Sequence, residues 1–224
     1  MARQARSEVT RRKLIDAAID VFSEVGYVAA GRAAIIERAG VTKGALYHHF
    51  DSIESLVVAI IEGGFATLLN TFQSRCQPSS PALEGMIHGM FAVADALATD
   101  KEAKAAGHLV FALADSHETT VAVFTRWMTE FATQTRRAIA EGDMREDLDP
   151  DLIGESILGA MLGTWLLSQA TGGDGVGRLM RMWEVLLPAT VAEDALPYFR
   201  EFLAREALRL LPSPNGDGAP EDLP

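Results

Sequence analysis

Apolar residues in the first quarter of the chain recur at helical spacing. Leu14, Ala17, Ala18, Val21 and Phe22 fall on one stripe, which predicts a helix over 7–25. Gly26 is placed to stop it. Ile35, Ile36 and Ala39 predict a short helix over 32–39, Gly40 and Val41 a tight turn, and Thr42 to Phe50 a third short helix. A long helix from Ser52 to about Arg75 follows, with Gly63 and Gly64 inside it, and Pro78 to Pro81 break it. Five start and stop signals organise the rest. Asp100 can cap a helix over 101–113, and Ser116 can cap one reaching Glu141, with Gly142 as its stop. Asp149-Pro150 starts a helix over 150–170, which Gly172-Gly173 end. Further helices are expected at 81–98, 175–188 and 193–211. No strand and no internal repeat is evident.

The expectation is an all-α protein in two parts. Residues 1–51 make a three-helix domain and 52–211 a larger helical domain. The tail, 212–224, is rich in Pro, Gly and acids and cannot bury enough surface to order itself.

Composition agrees with helices, since Ala and aliphatic residues are plentiful and aromatics few. Residues 1–13 are polar and basic with no apolar run behind them, so no secretory signal is expected. The apolar stretch Ile157 to Leu167 is only about half of the roughly 20 residues a membrane span needs, which points to a cytoplasmic protein and no membrane partner. The one cysteine, Cys76, excludes an intrachain disulfide and a cysteine-based zinc site. It reads as a small buried apolar residue.

Charge changes the picture most. The chain carries a net −11, but its distribution is uneven. Residues 1–50 hold eight bases and five acids, a balance of +3, and the remainder is −14. A basic end on an acidic body fits contact with nucleic acid at one end only.

That end also carries the informative motif. Two short helices joined by a Gly-containing turn form a helix-turn-helix, whose second helix enters the major groove of double-stranded DNA. Thr42, Lys43 and Gly44 lie at its start. Lys43 can donate to guanine or phosphate, Gly44 lets the backbone approach, and Thr42 can cap the helix or donate to phosphate. Tyr47 and His48, one turn later, reach phosphate or thymine methyls. Arg3, Arg6, Arg11, Arg12 and Lys13 are either an arm that grips DNA or a solvated charge run. A metal at His48-His49 has no third ligand at suitable spacing.

The run Arg38 to Phe50, RAGVTKGALYHHF, resembles the DNA-binding signature of TetR-family repressors, and Gly26-Tyr27 and Leu56 fall where that family has them. The resemblance implies a homodimer on an operator, with a small ligand in the larger domain. A narrower resemblance, to γ-butyrolactone autoregulator receptors of actinomycetes, rests on the opening MARQARSE, FTRWMTEF around Trp127, DLDPD at 147–151 and MWEVLLP at 182–188. It implies that Trp127 lines a pocket for a small lipophilic ligand. There are departures. Ala30 and Gly31 stand where the family usually has a hydroxyl, with Arg32 as a compensating contact. Ile53 stands where it often has Lys, and Gly64 where several receptors have Gln.

On the residues alone, Trp127 is either core or ligand wall. Phe131, Met128, Met161 and Trp165 can complete an apolar cavity, with Thr164, Gln169 or His88 as polar groups. Gly63-Gly64 is either a hinge or a close packing site. Dimerisation is expected through 150–170 and 193–211, using Leu152, Ile153, Leu158, Met161 and Trp165 with Leu196, Phe199, Leu203, Leu208 and Leu211. No phosphate loop, serine elbow or metalloprotease motif is present, so neither an enzyme nor a cofactor is expected. Two rival readings stay open: a regulator answering an unrelated hydrophobic effector, and a helical ligand-binding protein with a vestigial DNA motif.

Overall fold

The computed structural model describes residues 2–113 and 117–210, which form ten helices. In order they are α1 (Ala2–Val25), α2 (Arg32–Ala39), α3 (Lys43–His49), α4 (Ile53–Arg75), α5 (Ala82–Thr99), α6 (Lys101–Ala112), α7 (Glu118–Glu141), α8 (Pro150–Thr171), α9 (Gly175–Thr190) and α10 (Leu196–Leu210). Among the described residues the one extended pairing is an antiparallel bridge between Met144 and Val191. The Ser116 cap, Leu211 and the tail lie outside the described residues. His117 caps α7 instead, its Nδ1 accepting from the Thr119 N–H at 3.2 Å.

Local chemistry explains most of the boundaries. Ser52 and Ser55 form a reciprocal capping box at the start of α4. The Asp100 carboxylate accepts from the Ala103 N–H at 2.7 Å, and Asp149 caps α8 ahead of Pro150. Gly142 ends α7 with φ +85°, a left-handed conformation that disfavours a Cβ. Three boundaries differ from the sequence reading by more than one residue. Helix α1 begins five residues early, because Ala2 to Arg6 are strong helix formers with no breaker. The basic arm is therefore a helical extension. Pro188 does not end α9, which continues to Thr190. Helix α10 starts at Leu196, after a turn in which both Ala195 and Leu196 donate to the Ala192 carbonyl.

The amino-terminal domain packs α1, α2 and α3 around Leu14, Ala18, Ile35, Leu46 and Phe50, all buried. Helix α4 leaves this domain and becomes the spine of the second. Its stretch Ile53–Gln73 is long and apolar enough to cross a membrane, a feature the sequence reading passed over. Here that stretch supplies core. Ile60, Ile61, Leu68 and Phe72 are buried, and α5 and α6 pack along it.

Gly63-Gly64 is a packing site. A Cβ on Gly64 would overlap the Ala106 methyl and stand 2.8 Å from the Glu102 carbonyl oxygen of α6. Part of the expected dimer face is unavailable. Leu158, Phe199 and Leu203 are buried within the chain and cannot serve an interface. Leu152, Leu166 and Leu167 of α8, Val185 of α9 and Leu208 of α10 are exposed.

Candidate functional site

The recognition helix is built by its turn. Gly40 adopts φ +62°, and its N–H and that of Val41 return to the Glu37 and Ile36 carbonyls. This closes α2 and swings the chain into α3. The Thr42 hydroxyl caps α3 by accepting from the Ala45 N–H at 3.2 Å. Leu46 and Phe50 anchor the inner face of α3, leaving Thr42, Lys43, Gly44, Tyr47 and His48 exposed.

Three of the expected DNA-facing residues come together. The Lys43 ammonium lies 5.8 Å from the centre of the Tyr47 ring, and the Arg32 guanidinium lies 5.7 Å from it. Two cations thus flank one phenol on the exposed side of the motif. Gly44 adds a negative observation: among the described residues, the only atom its missing side chain would meet is the Thr42 hydroxyl oxygen, at 3.9 Å. None of those residues requires glycine there. Gly31 begins α2 without a side-chain cap, as expected from the missing hydroxyl.

Other basic residues divide. Arg6 and Lys13 are exposed, and the Arg3 side chain lies outside what is described. Arg11 lies 5.5 Å over the Phe50 ring. Arg12, expected with the DNA-facing run, is instead engaged by carboxylates: it reaches Glu102 of α6 at 2.6 Å and Asp16 at 2.9 Å. Arg38 makes a bidentate pair with Glu24, at 2.8 and 2.7 Å, and holds that carboxyl below its usual range. Burial, then neighbouring His48, lowers the His49 pKa and favours the neutral ring.

In the second domain, five helices enclose an apolar chamber of about 40 Å³. Helix α4 gives Phe65 and Leu68, α5 gives Val93 and Leu97, and α6 gives Gly107 and Phe111. Helix α7 gives Phe124 and Trp127, and α8 gives Leu158, Met161, Leu162 and Trp165. Of the expected ligand residues, Trp127, Met161 and Trp165 are on this wall. The others are elsewhere. Phe131 is fully buried, stacked on Phe72 at 4.9 Å, and belongs to the core behind Trp127. His88 sits between α5 and α10, 2.9 Å from the Glu206 carboxylate and against Phe202. Thr164 and Gln169 line a neighbouring chamber. The indole N–H groups of Trp127 and Trp165 are buried with no acceptor among the described residues. Each such donor costs about 1–3 kcal/mol unless something accepts from it.

Residues 14–60 match the model of the bacterial regulatory proteins of the tetR family. The A-factor receptor protein of Streptomyces griseus is 33% identical over 206 residues, spanning 89% of this chain and 70% of the relative. The chain belongs to the TetR family. Among solved structures, a γ-butyrolactone receptor described as ArpA-like superposes with TM-score 0.76 at 26% identity, covering 91% of this chain and 99% of that one. CprB from Streptomyces coelicolor, in complex with its operator sequence, does so with TM-score 0.68 at 27% identity, covering 91% and 99%.

In this TetR-family protein, sequence reasoning missed the pocket walls from α4, α5 and α6. Phe65, Leu97, Gly107 and Phe111 sit in helices whose apolar stripes read as ordinary core. Gly107 alone carried a signal, as a glycine within a helical pattern. Cys76 is buried, and burial pushes its thiol up to about 12, so it is inert at neutral pH. Among the described residues no cluster of His, Cys, Asp or Glu is suited to hold a metal.

Proposed function

We propose that the protein is a cytoplasmic, dimeric transcriptional repressor, without enzymatic activity, that binds a palindromic operator and is released by a small lipophilic ligand of the γ-butyrolactone type. The observation that carries the DNA reading is the exposed face of α3. Lys43, Gly44 and Tyr47 project there from a capped helix, with Arg32 alongside. The same face speaks against a vestigial motif, since every part of it is solvent-facing and none is occupied by the body. Arg3, Arg6, Thr42 and His48 are the further contacts expected to phosphate or base edges.

The ligand reading rests on the chamber beside Trp127 and on the receptors the chain resembles. A route from ligand to DNA is available. Gly107 and Phe111 of α6 form part of the chamber wall. The first turn of α6 is tied to α1 by the Arg12–Glu102 pair and by Lys101 with Asp20. A ligand that fits better with α6 displaced shifts the head, and so the separation of two recognition helices.

The dimer face is α8 with α9. Leu152, Leu166 and Leu167 are exposed on α8, and side chains at Gly159 and Gly163 would meet only open space. Val185 continues the apolar surface on α9.

A gel-shift titration with a palindromic operator tests this. Specific retention should fall steeply as salt rises, in proportion to the phosphates neutralised. Sedimentation should give a dimer, and Leu167→Glu should give monomers that lose the operator. A monomeric wild type, or retention equal on operator and random DNA, overturns the reading.

A further inference from the structure

The chain has four lysines, Lys13, Lys43, Lys101 and Lys104. The first two lie in the head, and the other two line one cleft. It opens where the head and the body part, and it measures about 770 Å³. The head contributes Phe22, Ser23, Gly26 and Tyr27, at the end of α1 and in the turn that follows. The body contributes the corner between α5 and α6 and one face of α6, through Lys104, His108 and Ala112. The cleft shares no lining residue with the chamber beside Trp127, to which α6 turns Gly107 and Phe111.

Its two walls differ in chemistry. On the head side Tyr27 is half-buried and stands edge-on to Phe22 at 5.9 Å, so that wall is aromatic. On the α6 side lies the positive charge, and the carboxylates near it are engaged. Asp20 pairs with Lys101. Asp100 accepts from the Ala103 N–H at 2.7 Å as the cap of α6, where the helix dipole offsets its charge. Lys104, one turn on, is exposed and enters no ion pair among the described residues. His108 follows on the same face, exposed, with its Nε2 3.3 Å from the Gln169 amide oxygen.

Neither wall holds a ligand alone. A carboxylate beside an exposed lysine gains little in water. A ring laid on a half-buried aromatic gains from the area it covers, but nothing fixes its direction. A molecule that carries both a ring and a carboxylate takes both contacts at once. The cleft is large enough for one, since small-molecule sites run from about 300 to 1,000 Å³.

We propose that this cleft is a second ligand site, separate from the chamber beside Trp127, and that it takes an aromatic carboxylate. The ring lies against Tyr27 and the exposed edge of Phe22. The carboxylate accepts from the Lys104 ammonium. A ligand so placed touches the head and the body together and braces one against the other. The inference goes beyond the repressor reading and does not depend on it.

The test uses the full-length protein and 2-naphthoate, with 2-naphthamide and acetate as controls that lack the charge and the ring. Affinities are measured by titration calorimetry without DNA, so the outcome is independent of operator binding. Naphthoate is expected to bind, more weakly as salt rises, with the amide severalfold weaker and acetate showing no heat of binding. Lys104→Gln alters an exposed side chain, so it should keep the melting temperature and weaken naphthoate severalfold. Ser23→Trp fills the cleft from the head side and should abolish binding; circular dichroism checks its folding, and Lys104→Gln decides the matter if it misfolds. Hydrogen exchange locates the ligand, which should slow amides both in 22–27 and in α6. No binding of naphthoate at its solubility limit overturns the proposal. So does equal binding of the amide or of acetate, or an unchanged naphthoate affinity in Lys104→Gln. Slowing confined to α6 overturns the bracing of head against body.

Discussion

In the head, the frame is filled and the chemistry is outside. Ile35, Leu46 and Phe50 are buried, and one turn away Lys43, Gly44 and Tyr47 face solvent. In the body the arrangement is inverted. Its unfilled features are interior: two adjoining chambers, and buried indoles without acceptors among the described residues. A surface that reads DNA must be rigid before contact, because ordering it on binding costs affinity. An interior that answers a ligand needs unfilled space and unsatisfied groups. The glycines mark the same division. Gly44 faces open space, whereas Gly64 is pressed against Ala106 and the Glu102 carbonyl. The first has no close neighbour among the described residues, and the second is held to glycine by a neighbouring helix.

The largest expected effect tests how firmly the body is built around its chambers. Phe72 is fully buried, stacked on Phe131 and edge-on to Trp127 at 5.6 Å. Phe72→Ala should cost about 3–5 kcal/mol in urea unfolding. A cost under about 1 kcal/mol would mean that the floor beneath Trp127 collapses freely, and the contrast with the head would be lost.

The head was the more legible region in the sequence for a physical reason. Its signals are local: Gly40 at a positive φ, Thr42 as a cap, and an apolar stripe three or four residues apart. Helix α2 consequently runs over the residues its pattern predicts. The body's chamber draws its wall from five helices, and no short-range pattern shows which apolar residues leave a gap. Trp127 was found through family resemblance, while Phe65, Leu97, Gly107 and Phe111 were not. His88 and Phe131 looked suitable by residue type and lie elsewhere. Arg12 looked like its basic neighbours until the fold placed Glu102, ninety residues on, beside it.

Lys43→Ala comes next in size. It should weaken operator binding by about 1–3 kcal/mol, or roughly five- to 150-fold, in a gel shift. Because Lys43 is exposed, stability should stay within about 0.5 kcal/mol. A melting-temperature drop matching the affinity loss would place Lys43 in the frame and not on the reading face.

The glycine pair sharpens the comparison with opposite signs. Gly64→Ala should destabilise by about 1–3 kcal/mol, since overpacking against α6 outweighs the gain of about 1 kcal/mol in helix propensity. Gly44→Ala should stabilise by up to about 1 kcal/mol and weaken operator binding, because its Cβ enters space reserved for DNA. Stabilisation by both, or destabilisation by both, would erase the distinction. Thr42→Ala should cost about 1 kcal/mol of stability through the lost cap. That is small, but it acts on the element that presents Lys43.

The smallest expected change in stability has the most to say about how the two regions communicate. The Arg12 side chain is 55% exposed and that of Glu102 is 15% exposed, so their pair at 2.6 Å is a bridge between α1 and α6 that is open to solvent on the Arg12 side. Such pairs contribute about 0–1 kcal/mol. Glu102 also lies in the first turn of α6, where the helix dipole favours a carboxylate whether or not Arg12 is present. Arg12→Gln should therefore leave the unfolding midpoint almost unchanged. If α6 transmits ligand binding to the head, the same substitution should raise the ligand concentration needed to release the operator, while ligand affinity measured without DNA stays the same. A double-mutant cycle with Glu102→Gln separates the two possibilities. Coupling in the release assay but little in stability means that the bridge links head to body. Equal coupling in both means that it only holds the fold, and the route between the regions runs through α4.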